Sequence, residues 1–158
     1  MSLFGSLLGG VKKSAGAVLL ERLASPSSSA EELREALSSF NALSSTQPLR
    51  LVDKGGMAVL IGLLSSGDEQ LCREALETIS NLLDPSLPPD DPHAASVKAA
   101  HNAKILLANE SYLTLATASI GKETYATFHG TQLLIRLLDM ERDATQAAVL
   151  RQPEMVGS

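Results

Sequence analysis

The sequence predicts an all-α solenoid, in which helices stack in successive repeats instead of closing around one central core. Three observations lead to this prediction. Apolar residues recur at helical spacing, the same helical pattern returns at intervals of roughly 40 to 55 residues, and no alternation of the strand type is sustained. Hydrophobic residues make up 44% of the 158 residues and aromatic residues only 3%, and such leucine- and alanine-rich faces suit helix-on-helix packing.

The clearest helical pattern runs from residue 68 to residue 83. Its apolar residues fall at i, i+3, i+4, i+7 and i+8, which indicates a helix with one wide buried face. Cys72 lies on that face and is expected to behave as a small buried hydrophobe. Asp68 and Glu69 favour the amino end through the helix dipole, and Pro85 cannot continue the helix. The segment is therefore predicted to be a core helix.

Two other segments repeat this helix. Leu37 is the counterpart of Leu76, 39 residues earlier, and Leu134 is the counterpart of Ile79, 55 residues later. A second element also recurs: an apolar pair, four polar or small residues and then a bulky apolar residue. Because this element marks the end of one helix and the start of the next, it divides the chain into units. It occupies residues 51–57, 106–112 and 149–155.

Helical periods of this length are typical of armadillo and HEAT arrays, in which each unit buries its apolar face only against its neighbours. The sequence thus predicts an armadillo-type α-solenoid, a right-handed superhelix of three-helix repeats that is truncated within its last repeat. We expect N-terminal capping helices at 1–24, followed by armadillo repeats over 25–158. The repeats are assigned to 25–83, 94–138 and, in part, 139–158, with a proline-rich loop insertion at 84–93.

Within these units the pattern predicts a short first helix, a middle helix and a longer third helix. Serines 27–29 are expected to cap a helix that runs to about residue 44. Gly55 and Gly56 are predicted to form the turn before a middle helix, and Gly121 a second such turn before a third helix. The remaining helices are predicted at 15–24, 48–52, 57–64, 94–107, 112–119, 123–138 and 143–150.

The chain carries little that indicates chemistry. Its formal net charge is -5 and its basic residues are dispersed, so nucleic acid is not an expected partner. His93, His101 and His129 lack metal-ligand spacing, and His129 is expected to be a partly exposed surface residue. Phosphate-binding and nucleophile motifs are absent from the sequence. We therefore predict a protein that is not an enzyme and needs no cofactor or metal. Its single cysteine favours a reducing compartment.

The first thirteen residues permit two interpretations. Leu3, Phe4, Leu7 and Leu8 precede Lys12 and Lys13. An apolar segment followed by lysines can bind at a membrane surface. The same segment can instead cap the exposed end of the first repeat, because terminal repeats need a cover. The sequence therefore leaves both a capping role and a peripheral membrane association open.

A stack of such units aligns its third helices, so their outward side chains form a ladder for an extended or globular partner. Tryptophan is absent and Asn81 is not repeated, which argues against the Trp and Asn array that armadillo proteins of the nuclear-import type use for basic peptides. The predicted partner-binding residues are Arg34, Ser38, Asn41, Arg73, Glu77, Ser80, Asn81, Phe128, Gln132 and Arg136.

Several segments also resemble the N-terminal armadillo head of the general vesicular transport factor family. The members of this family are golgin-like vesicle tethers. The likeness extends over nearly the whole chain and is carried by Leu3–Gly10, Glu32–Leu37, Leu51–Val52, Ala75–Leu83, Gly130–Leu134 and Val149–Pro153. The family's remaining head repeats, coiled coil and acidic tail have no counterpart in this sequence.

The resemblance implies a cytoplasmic protein, peripheral at Golgi membranes, that helps dock vesicles in transport from the endoplasmic reticulum to the Golgi. It also implies a Rab-family GTPase and tethering factors as partners, and a homodimer. Two alternatives remain open at this point. One is a generic cytosolic armadillo adaptor, and the other is a peripheral membrane binder that uses the N-terminal segment.

Overall fold

A computed structural model describes residues 15–46, 49, 54–85, 92–118, 120–121 and 124–151. Regular structure within these ranges is helical throughout, without a strand. The helices are α1 (Ala15–Ala24), α2 (Ala30–Thr46), α3 (Lys54–Leu64), α4 (Glu69–Leu82), α5 (Pro92–Leu107), α6 (Glu110–Thr117), α7 (Thr124–Met140) and α8 (Arg142–Leu150). The N-terminal segment up to residue 14, the predicted helix at 48–52 and residues 152–158 lie outside the described residues.

The helices form three rows, each built from corresponding helices of successive units. In the third-helix row, α2 packs on α4, and α4 packs on α7. In the middle-helix row, α1 contacts α3, and α3 contacts α6, while α5 and α8 meet in the first-helix row. The segments around Phe40, Ile79 and Leu134 thus lie side by side in sequence order, as the repeat pattern predicts. Residues 15–24 were predicted as part of a cap. They form α1, which occupies the position of a middle helix in the unit before α3.

The core is continuous along this stack and consists mainly of leucine and alanine. Each third helix places its apolar stripe inward, and the neighbouring helices complete its burial. Gly130 is buried on α7 and takes the position that Ala75 holds on α4, as the repeat pattern predicts. The third helices contribute the fully buried side chains Leu37, Phe40, Ile79, Leu133 and Leu137.

Helix starts follow the capping chemistry of the sequence. The Asp68 carboxylate accepts the amide hydrogens of Gln70 and Leu71, at 3.0 Å and 3.2 Å from Oδ1. The Ser29 hydroxyl accepts the amide hydrogen of Glu32 at 3.1 Å. These side chains satisfy amides that have no partner inside the first turn of a helix. The predicted starts of α2 and α4 are therefore confirmed.

Four predicted boundaries are corrected. Helix α6 spans Glu110–Thr117, where 112–119 was predicted. Gly55 and Gly56 do not form a turn but belong to the first turn of α3, which begins at Lys54. Helix α5 begins at Pro92, inside the predicted 84–93 insertion. Proline suits the first position of a helix, because amide hydrogens in the first turn have no acceptor within the helix and the missing one is not needed. Helix α7 continues to Met140, since its apolar pattern extends beyond residue 138. Gly121 does form a turn, with φ at +88°.

Cys72 also differs from its prediction as a buried hydrophobe. The side chain is half-buried, and its Sγ lies 3.3 Å from the carbonyl oxygens of both Leu64 and Ser66. The Leu64 carbonyl belongs to the last turn of α3 and the Ser66 carbonyl follows it, so neither has a donor within the helix. The thiol is a weak donor that can satisfy them. Cys72 therefore joins the end of α3 to the first turn of α4.

A buried polar side chain connects the first helix of one unit to the unit before it. Asn102 on α5 is fully buried, and its Nδ2 donates to the carbonyl oxygens of Leu49 at 2.7 Å and Leu82 at 2.9 Å. Thr145 is its counterpart on α8, 43 residues later. Thr145 is equally buried, but its hydroxyl has no hydrogen-bond partner among the described residues. The polar connection is thus made once and not repeated.

Candidate protein-binding surface

The ladder face is the outward side of α2, α4 and α7 that carries the ten predicted partner-binding residues. The structure places them on adjacent helices, but it gives them unequal access to solvent. Arg34, Ser38, Arg73 and Phe128 are exposed, Asn41, Glu77, Asn81, Gln132 and Arg136 are half-buried, and Ser80 is buried.

Ser80 was predicted to point outward, but the structure shows that it is buried. Arg136 on α7 lies over it, and its Nη1 donates to the Ser80 carbonyl oxygen at 2.5 Å and to the Ser80 hydroxyl at 2.9 Å. Its Nη2 donates to Oδ2 of Asp84 at 3.2 Å. Arg136 therefore binds the last turn of α4, and it excludes solvent from Ser80. Periodicity along α4 could not reveal this, because the covering group comes from the next repeat.

Glu77 connects all three third helices. Its Oε1 accepts a hydrogen bond from Asn41 Nδ2 on α2 at 2.8 Å. Its Oε2 accepts a hydrogen bond from the Tyr125 hydroxyl on α7 and lies 3.4 Å from His129 Nε2, also on α7. A single carboxylate on α4 thus joins the helix before it to the helix after it.

A second set of contacts joins α2 to α4. Asn81 Nδ2 donates to Asn41 Oδ1 at 3.1 Å and to the Ser44 hydroxyl at 3.2 Å. At the other end of the contact between α2 and α4, which we call the seam, Arg34 donates to Asp68 Oδ2 through Nε at 2.9 Å and Nη2 at 2.6 Å. Most of the predicted residues on this seam therefore hold neighbouring repeats together. Ser38 is exposed and takes no part in these contacts between α2 and α4.

The environment of Glu77 shifts the pKa of each group around it. Burial raises the pKa of Glu77, but the hydrogen bonds from Tyr125 and Asn41 and the nearby His129 outweigh it, so the net pKa lies below the usual value. Burial and the bond to Glu77 raise the pKa of Tyr125. Burial lowers the pKa of His129 in spite of the Glu77 carboxylate. His129 is therefore mainly neutral at pH 7, and the hydrogen bonds keep Glu77 ionised.

An open pocket of about 490 Å³ lies between the first turns of α4 and α7. The Arg73 guanidinium pairs with Glu69 at 2.8 Å and sits 5.5 Å from the centre of the Tyr125 ring. Glu74 also lines this pocket, together with Gln70. One oxygen of Glu74 is enclosed without a hydrogen-bond partner, and burial raises the pKa of this carboxyl. The pocket is thus lined by side chains of both positive and negative charge and by one aromatic ring.

The sequence did not identify every residue of this face. Tyr125 and His129 are spaced i, i+4 on α7, and their rings lie 4.6 Å apart. That spacing is visible in the sequence, but only the approach of α4 brings both side chains to Glu77. His129 was expected to be partly exposed, and its side chain retains 14% of its accessible surface. Asp68 was predicted only as a helix-end residue, and Asp84 as part of the 84–93 insertion.

Within the part of the chain that the structure describes, no helix has both the length and the apolar character to cross a membrane. The same residues contain no group of three or more histidine, cysteine, aspartate or glutamate side chains that could hold a metal ion. The ladder face carries charged, amide and aromatic groups on adjoining helices.

Comparison with protein families matches the armadillo/beta-catenin-like repeat to residues 44–84. These residues run from the end of α2 to just past α4, and they include one middle and one third helix. Neither the curated proteins nor the solved structures gave a match to the chain. The family match does not extend to vesicle transport factors. Residues 44–84 are an armadillo-like repeat, and the chain folds as an all-α, armadillo-type solenoid.

Proposed function

We propose that this protein is a non-enzymatic protein-interaction scaffold whose ladder face binds a partner protein. The observation that carries the proposal is the alignment of α2, α4 and α7, which places exposed Arg34, Ser38 and Arg73 on one surface. Hydrogen bonds of Glu77 and Arg136 between neighbouring helices hold these helices in position relative to one another. A surface held in place in this way loses little conformational entropy when a partner binds.

We further propose that the scaffold is part of a cytoplasmic tether at Golgi membranes, with a Rab-family GTPase and tethering factors as partners. The support is the likeness of Leu3–Gly10, Glu32–Leu37 and Ala75–Leu83 to the vesicular transport factor head. The armadillo-like repeat at 44–84 agrees with the fold of such a head but is shared with other armadillo proteins. The family resemblance therefore carries this finer proposal.

A pulldown with Rab-family proteins tests the proposal. The immobilised chain is incubated with cytosol that has been loaded with GTP or with GDP, and retained Rab proteins are identified. We expect retention that depends on GTP and that falls when Arg73→Glu reverses an exposed charge on the ladder face. Arg22→Glu, an exposed charge reversal at the end of α1, is the matched control and should leave binding unchanged.

Other outcomes separate the alternatives. Partners that are retained equally with either nucleotide, and lost with Arg73→Glu, would replace the tether by a generic armadillo adaptor. Sedimentation with anionic liposomes, with and without residues 1–13, tests a peripheral membrane role. Binding to liposomes that disappears on removal of those residues would favour the membrane role over the ladder face.

A further inference from the structure

A run of four residues occurs on two adjacent third helices. The run Arg-Glu-Ala-Leu lies at residues 34–37 on α2 and again at residues 73–76 on α4. The alanine and the leucine are buried in both copies. The arginine and the glutamate of one copy therefore take the same places on their helix as those of the other copy.

The arginines of both copies are already paired within the chain. Arg34 pairs with Asp68 at 2.6 Å, and Arg73 pairs with Glu69 at 2.8 Å. Each pair has no net charge, so the arginines do not cancel the negative charge of the two glutamates that follow them. The repeat thus leaves one carboxylate of uncompensated charge on each of α2 and α4.

The two glutamates lack such a cation. Glu35 is exposed and has no ion pair within the described part of the chain. Glu74 accepts a hydrogen bond from Gln70, but one of its oxygens is enclosed without a hydrogen-bond partner among the described residues. Enclosing a carboxylate oxygen without a donor is unfavourable. A cationic donor brought by a partner would remove this cost at Glu74.

The open pocket between the first turns of α4 and α7 gives such a donor a place to bind. Its volume is about 490 Å³, and Glu74 and Tyr125 are among the residues that line it. The Arg73 guanidinium lies 5.5 Å from the centre of the Tyr125 ring, and aromatic faces attract cations. The pocket therefore combines a carboxylate and an aromatic ring, the groups that bind an arginine side chain.

We propose that the ladder face binds an extended basic segment of a partner protein, with one arginine in the pocket beside Glu74 and a second arginine beside Glu35. The segment belongs to the partner of the scaffold, so the inference rests on the proposed function and adds the chemistry of that partner. The binding groups are carboxylates and a tyrosine ring, in place of the tryptophan and asparagine array that this chain lacks.

The spacing of the helices specifies the spacing of the two arginines. Packed helices lie about 8–10 Å apart. A polyproline II segment advances about 3.1 Å per residue and returns its side chains to the same side every third residue. Two arginines three residues apart therefore reach equivalent positions on α2 and α4 from one side of the segment.

NMR titration of the full chain with three synthetic peptides tests this inference. The first peptide is rich in proline and carries two arginines three residues apart. The second has the same composition with the two arginines adjacent, and the third has glutamate in place of both arginines. Shifts of the backbone amide signals show where each peptide binds, and their dependence on peptide concentration gives the dissociation constant.

We expect the first peptide to bind at α2 and α4 and more tightly than the second, whereas the third does not bind. Glu35→Gln and Glu74→Gln should each weaken binding of the first peptide by about threefold, because each removes one charged pair. Asp143→Asn removes an exposed carboxylate from α8 and is the matched control, which should leave binding unchanged. Circular dichroism verifies that each variant is folded.

Three results would overturn the inference. The first is the absence of binding by the first peptide, and the second is equal binding of the first two peptides, because the spacing would then play no part. The third is an equal affinity of the two glutamate variants and the Asp143 control, because the repeated carboxylates would then not be the binding groups.

Failure of the proposed function has a different signature. Arg73→Glu alters the wall of the pocket and breaks the pair with Glu69, whereas Glu35→Gln leaves both intact. Partners from cytosol that are lost with Arg73→Glu but retained fully after Glu35→Gln and Glu74→Gln would support the scaffold and overturn the basic segment. Binding of the first peptide that depends on both glutamates, without any Rab protein retained, would support the basic segment and count against the Rab partner.

Discussion

At the scale of the single residue, Glu77 on α4 contacts both neighbouring third helices of the ladder face. Sequence reasoning placed it there as an outward residue available to a partner, from its spacing on a predicted helix. Its actual hydrogen bonds to Asn41 and Tyr125 come from segments 36 and 48 residues away. Contacts of that separation depend on the packing angle between helices, which periodicity does not encode.

We predict that Glu77→Ala lowers the free energy of unfolding by about 1–3 kcal/mol, because it leaves donors on α2 and α7 without their acceptor. Urea denaturation followed by circular dichroism measures the change. Glu35→Ala removes an exposed carboxylate from α2 and serves as the control, with an expected change within about 0.5 kcal/mol. Equal effects of the two substitutions would contradict a structural role for Glu77.

His129 gives the fold a dependence on pH. Because burial lowers its pKa in the folded chain, the unfolded chain binds more protons as the pH falls through about 6.5, and folding then loses stability. The lowered pKa of Glu77 acts in the same direction at more acidic pH, near and below about 4.3. The raised pKa of Glu74 acts in the opposite direction, because its folded carboxyl binds a proton more readily than the unfolded one. We predict that the contribution of His129 to the free energy of unfolding is lower at pH 5 than at pH 7.

His129→Gln should reduce this difference between pH 5 and pH 7, because glutamine does not titrate. Urea titrations at the two pH values, with the unmodified chain and the variant side by side, measure it. His101→Gln on α5 is the control and should leave the contribution of His129 in place. An unchanged difference in the His129 variant would show that other groups cause the pH dependence.

At the scale of the element, close packing of helices depends on small residues at defined places. A Cβ atom added to Gly130 on α7 would lie 2.8 Å from Ile120 Cγ1, which is closer than packed atoms come. The repeat pattern identified Gly130 as the small position on the third helix, in place of Ala75. The close approach of Ile120 is a property of the turn before α7, which the pattern does not describe.

We predict that Gly130→Val lowers the free energy of unfolding by about 1–3 kcal/mol through overpacking. Gly62→Val is a matched control, because Gly62 lies within α3 and an added Cβ would meet nothing within 4 Å. Its expected effect is within about 0.5 kcal/mol. Thermal and urea unfolding of the two variants provide the comparison, and similar losses in both would exclude the contact with Ile120 as the cause.

The helix boundaries show which local signals are sufficient. Asp68 and Ser29 fix helix starts through bonds to amides two and three residues ahead, so the sequence alone predicts them. Gly55 and Gly56 misled the prediction, because glycine favours turns in isolation. Met57, which is fully buried, shows that packing of α3 into the core outweighs that local preference.

At the scale of the whole molecule, a solenoid transmits stability only between neighbouring repeats. Leu37 on α2 and Leu137 on α7 are both fully buried, at opposite ends of the third-helix row. We predict that Leu137→Ala reduces amide hydrogen-exchange protection mainly in α6 to α8, and Leu37→Ala mainly in α1 to α3. Exchange measured by mass spectrometry on both variants tests this. A uniform loss over the whole chain in either variant would indicate a single cooperative core instead.

The sequence by itself determined the all-α class, most helix positions, the inward stripe of each third helix and the order in which helices stack. These features follow from the spacing of apolar residues and from capping chemistry, which act within about one or two helical turns. The tertiary structure decided which polar residues remain accessible. Arg136 covers Ser80, and Tyr125 reaches Glu77, because side chains from different repeats meet only when whole helices are packed.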